Sequence, residues 1–401
     1  MRGTPAAKQP TRFLTELFRT DMNETPSPRQ PIFTKGLKGV IANETGLSDV
    51  RGEEGRLLYC GYEIEDLVDL CTYSEIIYLL LNKRLPNREE LDGLNQRLRN
   101  DRDLPQPILD FFKSATKTAR PMSALRTAVS MLGMYDDRTK DPSQMKEIGL
   151  SLIAKIPVMA AYYYRICQGL DLPPIRTDLG EAEHFLWLLK GKEPDPNEAH
   201  ILDVAYILHA DHGMNASTFA SRVTASTLSD MYSAITTAIG TLKGPLHGGA
   251  NEAVIEMLKE IGDEDNVESY INEKLARHEK IFGMGHRVYK TLDPRAPQLR
   301  RIAIRLTQTI GEPKWIRMSD MIAKMMRARK NLNANVDFYS ATVYYSLGIP
   351  TRMFTTVFAI ARSAGWVAQI LEQLEDNTLF RPLSRYIGPD EPLLVPVLDM
   401  R

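Results

Sequence analysis

The stretch 353–374 reads MFTTVFAIARSAGWVAQILEQL. Met353, Val357, Ile360, Ala364, Val367, Leu371 and Leu374 follow one another at spacings of 4, 3, 4, 3, 4 and 3. Residues so spaced lie on one side of an α-helix, and at 3.6 residues per turn the stretch makes about six turns. The same helical period recurs along most of the chain after residue 60, with recognisable starts and stops. Asn197 is placed to cap a helix carrying Ile201, Leu202, Ala205 and Leu208. Asp293-Pro294 pairs a capping residue with a proline suited to the first helical position. Gly191, Gly244 and Gly262 fall where helical patterns end. Strand signals are confined to 39–42 and 55–59. The expected fold is all-α with a minor β element near the N-terminus.

Composition narrows the class. The 401 residues are too many for one ordinary core. No repeat or strong linker divides them, so a second domain is expected as an insertion. Lys plus Arg number 50 against 51 Asp plus Glu, which argues against a whole-chain field directed at nucleic acid or an anionic membrane. No uninterrupted apolar run approaches the ~20 residues of a spanning helix; a clear one, Ile76 to Leu81, is short and reads as core. Cys60, Cys71 and Cys167 form no CxxC pair and suit a reducing compartment. The N-terminus lacks the order of a secretory signal. Arg2, Lys8, Arg12 and Arg19 are basic, but Glu16, Asp21 and Glu24 depart from an acid-poor transit peptide. A cytoplasmic location is expected. Residues 1–34 read as a partly disordered extension with one short amphipathic helix (Phe13, Leu14, Leu17, Phe18).

Three segments carry candidate chemistry. His247 stands in Gly-Pro-Leu-His-Gly-Gly-Ala-Asn (244–251), between a broken helix and a new apolar pattern. Free N–H groups and the helix dipole there disfavour a cation, so the imidazole is expected neutral, able to donate to a developing enolate oxygen. The bland alternative is a structural turn. His286 follows Phe282, Gly283, Met284 and Gly285 and precedes Arg287 and Lys290. The glycines allow close backbone approach to a ligand and the cations suit phosphates, but the third glycine of a dinucleotide fingerprint is missing; the alternative is a basic surface loop. Asp337 stands among Val336, Phe338 and Tyr339. An apolar setting raises a carboxylate's pKa and suits a general base; the alternative is a helix cap.

Other residues point to an anionic substrate. Arg362 has Phe358 at i−4 and Trp366 at i+4, an apolar face on which a guanidinium requires an anion. Arg295 opens a helix, where a cation is not favoured, and Arg381 precedes Pro382. Arginines of this kind suit a di- or tricarboxylate, each gripping a carboxylate bidentately. His209 and His212, three apart and so on one face if helical, offer either hydrogen-bond donors to that anion or, with Asp211 near, a metal site without the usual zinc context.

HADHGMNASTF (209–219), GPLHGGANEAV (244–254), FGMGHRVYKTLDPRA (282–296), NVDFYSA (335–341) and FAIARSAGW (358–366) together resemble the citrate synthase family, in its order. With GLKGVIANETGLS (36–48) the resemblance spans residues 36–401 and is nearest the compact bacterial and archaeal branch. It implies a homodimer that condenses acetyl-CoA with oxaloacetate, without metal or other cofactor. The close alternative is 2-methylcitrate synthase acting on propionyl-CoA; a non-catalytic helical scaffold is the alternative of another class. By resemblance His247, His286 and Asp337 match the catalytic trio. His212, Arg295 and Arg362 match holders of oxaloacetate, and Arg381 matches an arginine reaching the partner subunit's site. Phe282, Gly283, Met284, Gly285 and Lys290 match the CoA site. The family fold maps a large helical domain onto 35–245 and 348–401 and a small inserted domain onto 246–347. Gly213 and Ala334 depart from the family pattern.

Overall fold

The computed structural model describes residues 33–400; the amphipathic helix expected at 13–18 lies outside them. Two compact units are distinguished: one made of 33–44 and 382–400, the other Thr45–Arg381. In the first, the Arg385 guanidinium lies over the Phe33 ring at 4.9 Å. The second holds every α-helix and strand among the described residues, including all of 246–347.

A small antiparallel sheet precedes the helices: β1 (Ser48–Arg51), β2 (Arg56–Tyr59) and β3 (Tyr62–Glu63), in that spatial order. Ser48 pairs with Tyr59 and Leu58 with Glu63. Cys60 and Gly61 both have positive φ (49° and 90°), the conformation of a two-residue hairpin turn that matches strand twist. The expected strand at 55–59 is present. The one expected at 39–42 is not: Val40 and Ile41 are exposed and make no ladder. The extra strand falls at the polar Ser48–Arg51, whose extended form is held by pairing with β2 rather than by its own propensity.

Sixteen α-helices follow among the described residues. The first seven are α1 (Ile64–Leu70), α2 (Tyr73–Asn82), α3 (Arg88–Asn100), α4 (Gln106–Ser114), α5 (Pro121–Leu132), α6 (Met145–Gln168) and α7 (Glu181–Lys190). Next come α8 (Pro196–His209), α9 (Ala216–Ser226), α10 (Met231–Leu242), α11 (Ala250–Ile261) and α12 (Val267–Ala276). The last four are α13 (Arg295–Thr309), α14 (Pro313–Lys330), α15 (Val336–Ser346) and α16 (Phe354–Glu375). Several caps sit beside their expected positions. Asp195, not Asn197, caps α8, and Pro196 takes the first helical position. Pro294 is the cap of α13 and Arg295 its first residue, while the Asp293 carboxylate accepts the Arg295 N–H at 3.1 Å. Asn335, not Asp337, caps α15.

The opening stripe forms α16, the axis of the core. It packs against α2, α6, α8, α9 and α10. The segment Thr351–Glu375 is long and apolar enough to cross a membrane by length and composition, contrary to the sequence expectation. However, 94% of its most apolar stretch is buried inside the protein, so its apolarity serves the core. Gly365 lets α16 meet the end of α8. A methyl group there would collide with the Ala210 carbonyl and lie 2.8 Å from Asp211 Oδ1. Gly365→Ala is therefore expected to destabilise the fold by about 1–3 kcal/mol, read as a lowered midpoint in denaturant melts.

Candidate active site

The sheet and the end of α8 together set His212. Helix α8 ends at His209, so His212 is not on its face as the helical reading required. Asp211 in this non-helical segment accepts from Ser48 Oγ of β1 and from Gln369 Nε2 of α16 (3.0 Å). The Tyr59 hydroxyl of β2 donates to the Asp211 carbonyl at 2.8 Å, and the Gly213 N–H donates to Ser48 Oγ at 2.9 Å. Gly213 needs its φ of +56° for this turn. The His212 ring emerges 5.3 Å from that of His286, with Nε2 3.2 Å from the Tyr289 hydroxyl. Burial, then the nearby Arg295 charge, drives its pKa well down.

His209 faces the other way. Its Nδ1 bonds the Ala205 carbonyl at 2.7 Å and its ring packs edge-on against Phe358 at 4.9 Å. His209, Asp211 and His212 thus point to different neighbours. Among the described residues no group of three or more His, Cys, Asp or Glu is arranged to hold a metal ion.

His247 occupies the turn between α10 and α11. The Gly248 N–H donates to the Leu242 carbonyl (2.9 Å) and the Gly248 carbonyl accepts from Thr355 Oγ1 (3.0 Å), which locks the turn onto α16. Ser217 supports the ring: its backbone N–H approaches His247 Nε2 at 3.3 Å and its hydroxyl at 2.8 Å. A backbone N–H can only donate, so the network assigns Nε2 as acceptor and Nδ1 as the protonated nitrogen. Trp366 Nε1 in turn donates to Ser217 Oγ at 3.1 Å. Burial and then Arg362 bring the His247 pKa down to about 4.

The 282–285 loop joins the second imidazole to the carboxylate. Gly285 N–H donates to the Asn333 carbonyl (2.7 Å), Asn335 N–H to the Gly283 carbonyl (2.9 Å), and Asn335 Nδ2 to the Gly285 carbonyl (2.8 Å). Met284 and Ala334 form the bridge between the two segments. Gly283 (φ +74°) has no room for a side chain: a Cβ would lie 2.8 Å from the Phe338 ring and 2.9 Å from Val254. Immediately after the loop, His286 Nδ1 accepts the N–H groups of Val288 (3.0 Å) and Tyr289 (3.1 Å). Its proton is therefore on Nε2. Burial, then Arg295, takes its pKa to about 4.

Asp337 lies on the first turn of α15, its N–H held by Asn335 Oδ1 at 3.0 Å. Its Oδ1 is buried with no hydrogen-bond partner. Burial pushes the carboxyl pKa up to about 7; Asp293 adds to the rise while Arg295 and Arg362 oppose it.

The three arginines differ in their company. Arg295 is 2% exposed and bound through Nε (2.9 Å) and Nη2 (2.8 Å) to Asp293. That ion pair holds the Asp293 pKa below its usual value despite burial. Arg362 is 1% exposed, yet its sole hydrogen bond among the described residues runs from Nε to the His209 carbonyl at 2.6 Å. Its guanidinium lies 4.9 Å over the Phe358 ring, and burial lowers its pKa. Arg381 is exposed and makes no ion pair among the described residues. In the loop, Phe282 and Lys290 are exposed, and the Lys290 N–H donates to the Gly52 carbonyl at 3.0 Å.

The structure thus connects His212 to His286 by ring contact and the His286 loop to the Asp337 segment by backbone pairing. Arg295 and Arg362 act on Asp337 electrostatically, and Arg362 acts likewise on His247. Residues that sequence reasoning passed over are Ser217, Trp366, Thr355 and Tyr289. All four stand inside the quoted stretches, Trp366 as a neighbour of Arg362, but nothing in their spacing announces that they support the imidazoles.

An all-α fold carrying two neutral imidazoles, a high-pKa carboxyl and buried arginines suits an enzyme that pairs a general base with neutral hydrogen-bond donors on an anionic substrate. The family sequence model described as "Citrate synthase, C-terminal domain" matches residues 36–383. "Citrate synthase 2" of Bacillus subtilis strain 168 is 49% identical over 91% of this chain and 98% of its own length. "2-methylcitrate synthase 1" of Corynebacterium glutamicum is 40% identical over 91% and 98%. A solved structure of Thermoplasma acidophilum citrate synthase, a ternary complex with carboxymethyl coenzyme A and oxaloacetate, superposes with TM-score 0.86. It is 32% identical and covers 92% of this chain and 99% of its own. The chain belongs to the citrate synthase family.

Proposed function

We propose that this enzyme condenses the methyl carbon of acetyl-CoA with the ketone of oxaloacetate and then hydrolyses the thioester, giving citrate and CoA. The observation that carries the reading is the division of protonation states. One carboxyl is raised to about 7 while two imidazoles are lowered to about 4, which separates a base from two neutral donors at neutral pH. Asp337 removes a methyl proton. His247 donates from Nδ1 to the thioester oxygen, where enolate charge develops. The enol carbon attacks the ketone, and His286 donates from Nε2 to the oxygen that becomes hydroxyl. His212, Arg295, Arg362 and Arg381 hold the carboxylates and set the face attacked. Water then cleaves the condensed thioester, and the two substrates need no added cofactor. The raised Asp337 pKa, costly to maintain in a purely structural site, also counts against a non-catalytic scaffold.

On the same reading 246–347 is a small domain that closes over oxaloacetate and excludes water until condensation is complete. Phe282 to Gly285 and Lys290 receive CoA. The active unit is a cytoplasmic homodimer, and the exposed, unpaired Arg381 serves the partner's site. Mixing Arg381→Ala with Asp337→Ala, each inactive alone, is expected to restore up to about a quarter of the activity after verified subunit exchange. Absence of any restoration defeats the shared site.

Identity to 2-methylcitrate synthase 1 of C. glutamicum is 40%, so propionyl-CoA is the alternative donor. One methylene is worth about 1–3 kcal/mol of discrimination. Comparing kcat/KM for acetyl-CoA and propionyl-CoA decides: a ratio of tenfold or more in favour of propionyl-CoA replaces the main reading.

A further inference from the structure

Asp337 Oδ1, Tyr344 OH and His209 Nε2 are all buried and all lack a protein hydrogen-bond partner. Burying one such group without a partner costs about 1–3 kcal/mol, and their placement relates them. Tyr344 stands seven residues after Asp337 on α15, two turns along the same face, with the small Ala341 between. Long helical side chains lean toward the helix N-terminus, which carries the Tyr344 hydroxyl toward the Asp337 turn. The His209 ring of α8 lies 6.1 Å from the Tyr344 ring. The charge of Asp337 also contributes to raising the Tyr344 pKa, second to burial.

The donor and acceptor roles are complementary. His209 Nδ1 faces the Ala205 carbonyl and must carry the proton, so Nε2 is an acceptor. The ionised carboxylate accepts, and the tyrosine hydroxyl has a hydrogen to give. One water can accept from Tyr344 and donate to both Asp337 and His209, three bonds, the usual number for a buried water.

We propose that a structural water, held by Tyr344 and His209, hydrogen-bonds Asp337 Oδ1 and makes Tyr344 a positioning residue for the base. This rests on Asp337 being the base. By stabilising the ionised form, the water limits how far burial raises the carboxyl pKa. The other groups facing Asp337 are Arg295 and Asp293 at the start of α13 and Arg362 of α16. From α14, Asp320 is occupied by Tyr339 and Arg300. From α11, no titratable group acts on Asp337 among the described residues.

The test is the pH profile of kcat/KM for acyl-CoA in Tyr344→Phe, beside Tyr206→Phe. Tyr206 has an equally orphaned hydroxyl on α8; it feels the Tyr344, Tyr73, Glu181 and Asp203 charges, and Asp337 is not among the groups that act on it. Tyr344→Phe is expected to move the acidic limb to higher pH, by about three- to tenfold in proton concentration, with the limb of Tyr206→Phe unmoved. An unmoved limb in Tyr344→Phe, or equal movement in both variants, overturns the proposal. A high-resolution crystal structure of the unaltered protein gives the second measurement. An ordered water within 3.2 Å of Asp337 Oδ1, Tyr344 OH and His209 Nε2 supports the proposal, and a dry contact overturns it even if the variant does not fold. Should Asp337→Asn retain normal turnover, the base assignment fails instead.

Discussion

Asp337→Asn is expected to lower the condensation rate by about 10²–10⁴-fold, the range a positioned general base supplies, and at the same time to stabilise the protein. The rate effect follows from the proposed role of Asp337 as base, a buried carboxyl whose Oδ1 has no hydrogen-bond partner among the described residues. Its pKa of about 7 sets the pH dependence. Only the ionised form abstracts a proton, so kcat/KM for acyl-CoA should rise through pH 7 to a plateau. His247 and His286, at about 4, stay neutral across that range and add no second limb.

The stability effect has the opposite sense. An unfolded aspartate titrates near 4, while the folded one holds its proton to about 7. Between those values the native state binds more protons, so its stability falls as pH rises and is lost through the folded pKa. Asparagine does not titrate. The variant's advantage should therefore be small at pH 4–5 and reach about 1–3 kcal/mol above pH 7. Denaturant melts of both proteins at pH 5 and pH 8 measure it. A gap that does not widen between those pH values contradicts the buried-carboxyl account.

Arg362→Leu and Arg295→Leu should part company although both side chains are almost fully buried. Arg362 makes one hydrogen bond, to a carbonyl. Losing it is expected to change stability by no more than about 1–2 kcal/mol. Its guanidinium is otherwise free to bind a carboxylate, and two charge-assisted bonds at about 1.5–3 kcal/mol each correspond to at least a ~10²-fold rise in KM for oxaloacetate. Arg295 is already paired, and its loss strands Asp293 in the interior. Breaking such a buried pair costs about 3–5 kcal/mol. Arg295→Leu should thus lose stability as well as substrate affinity, whereas Arg362→Leu loses affinity alone. Equal melting midpoints for the two variants would remove the distinction between them.

Much of this was legible before any coordinate. A helix such as α16 announces itself because its stripe is local: side chains three and four apart meet on one surface whatever lies beyond. His247, His286 and Asp337 could be singled out because each stands where glycines or apolar neighbours make an unusual setting within a few residues. Cap positions slipped by one or two residues: Asp195 and Asn197 are comparable caps by composition, while Asp293 still accepts the Arg295 N–H although Pro294 is the boundary residue. Only the backbone path chooses between them. Strand β1 was missed because SDVR has little propensity of its own, and its extended form depends on β2 across a turn.

What the sequence by itself determined is the helical class, the family motifs and the candidate reactive groups, since all are written in short-range spacing and residue chemistry. Only the tertiary structure decided which imidazole nitrogen holds its proton, which arginine is already neutralised, and that His209 turns away while His212 joins the site. Those outcomes depend on partners distant in the chain — Ser217 for His247, Tyr289 and Arg295 around His212, Tyr344 beside His209 — and on burial, which no local pattern measures.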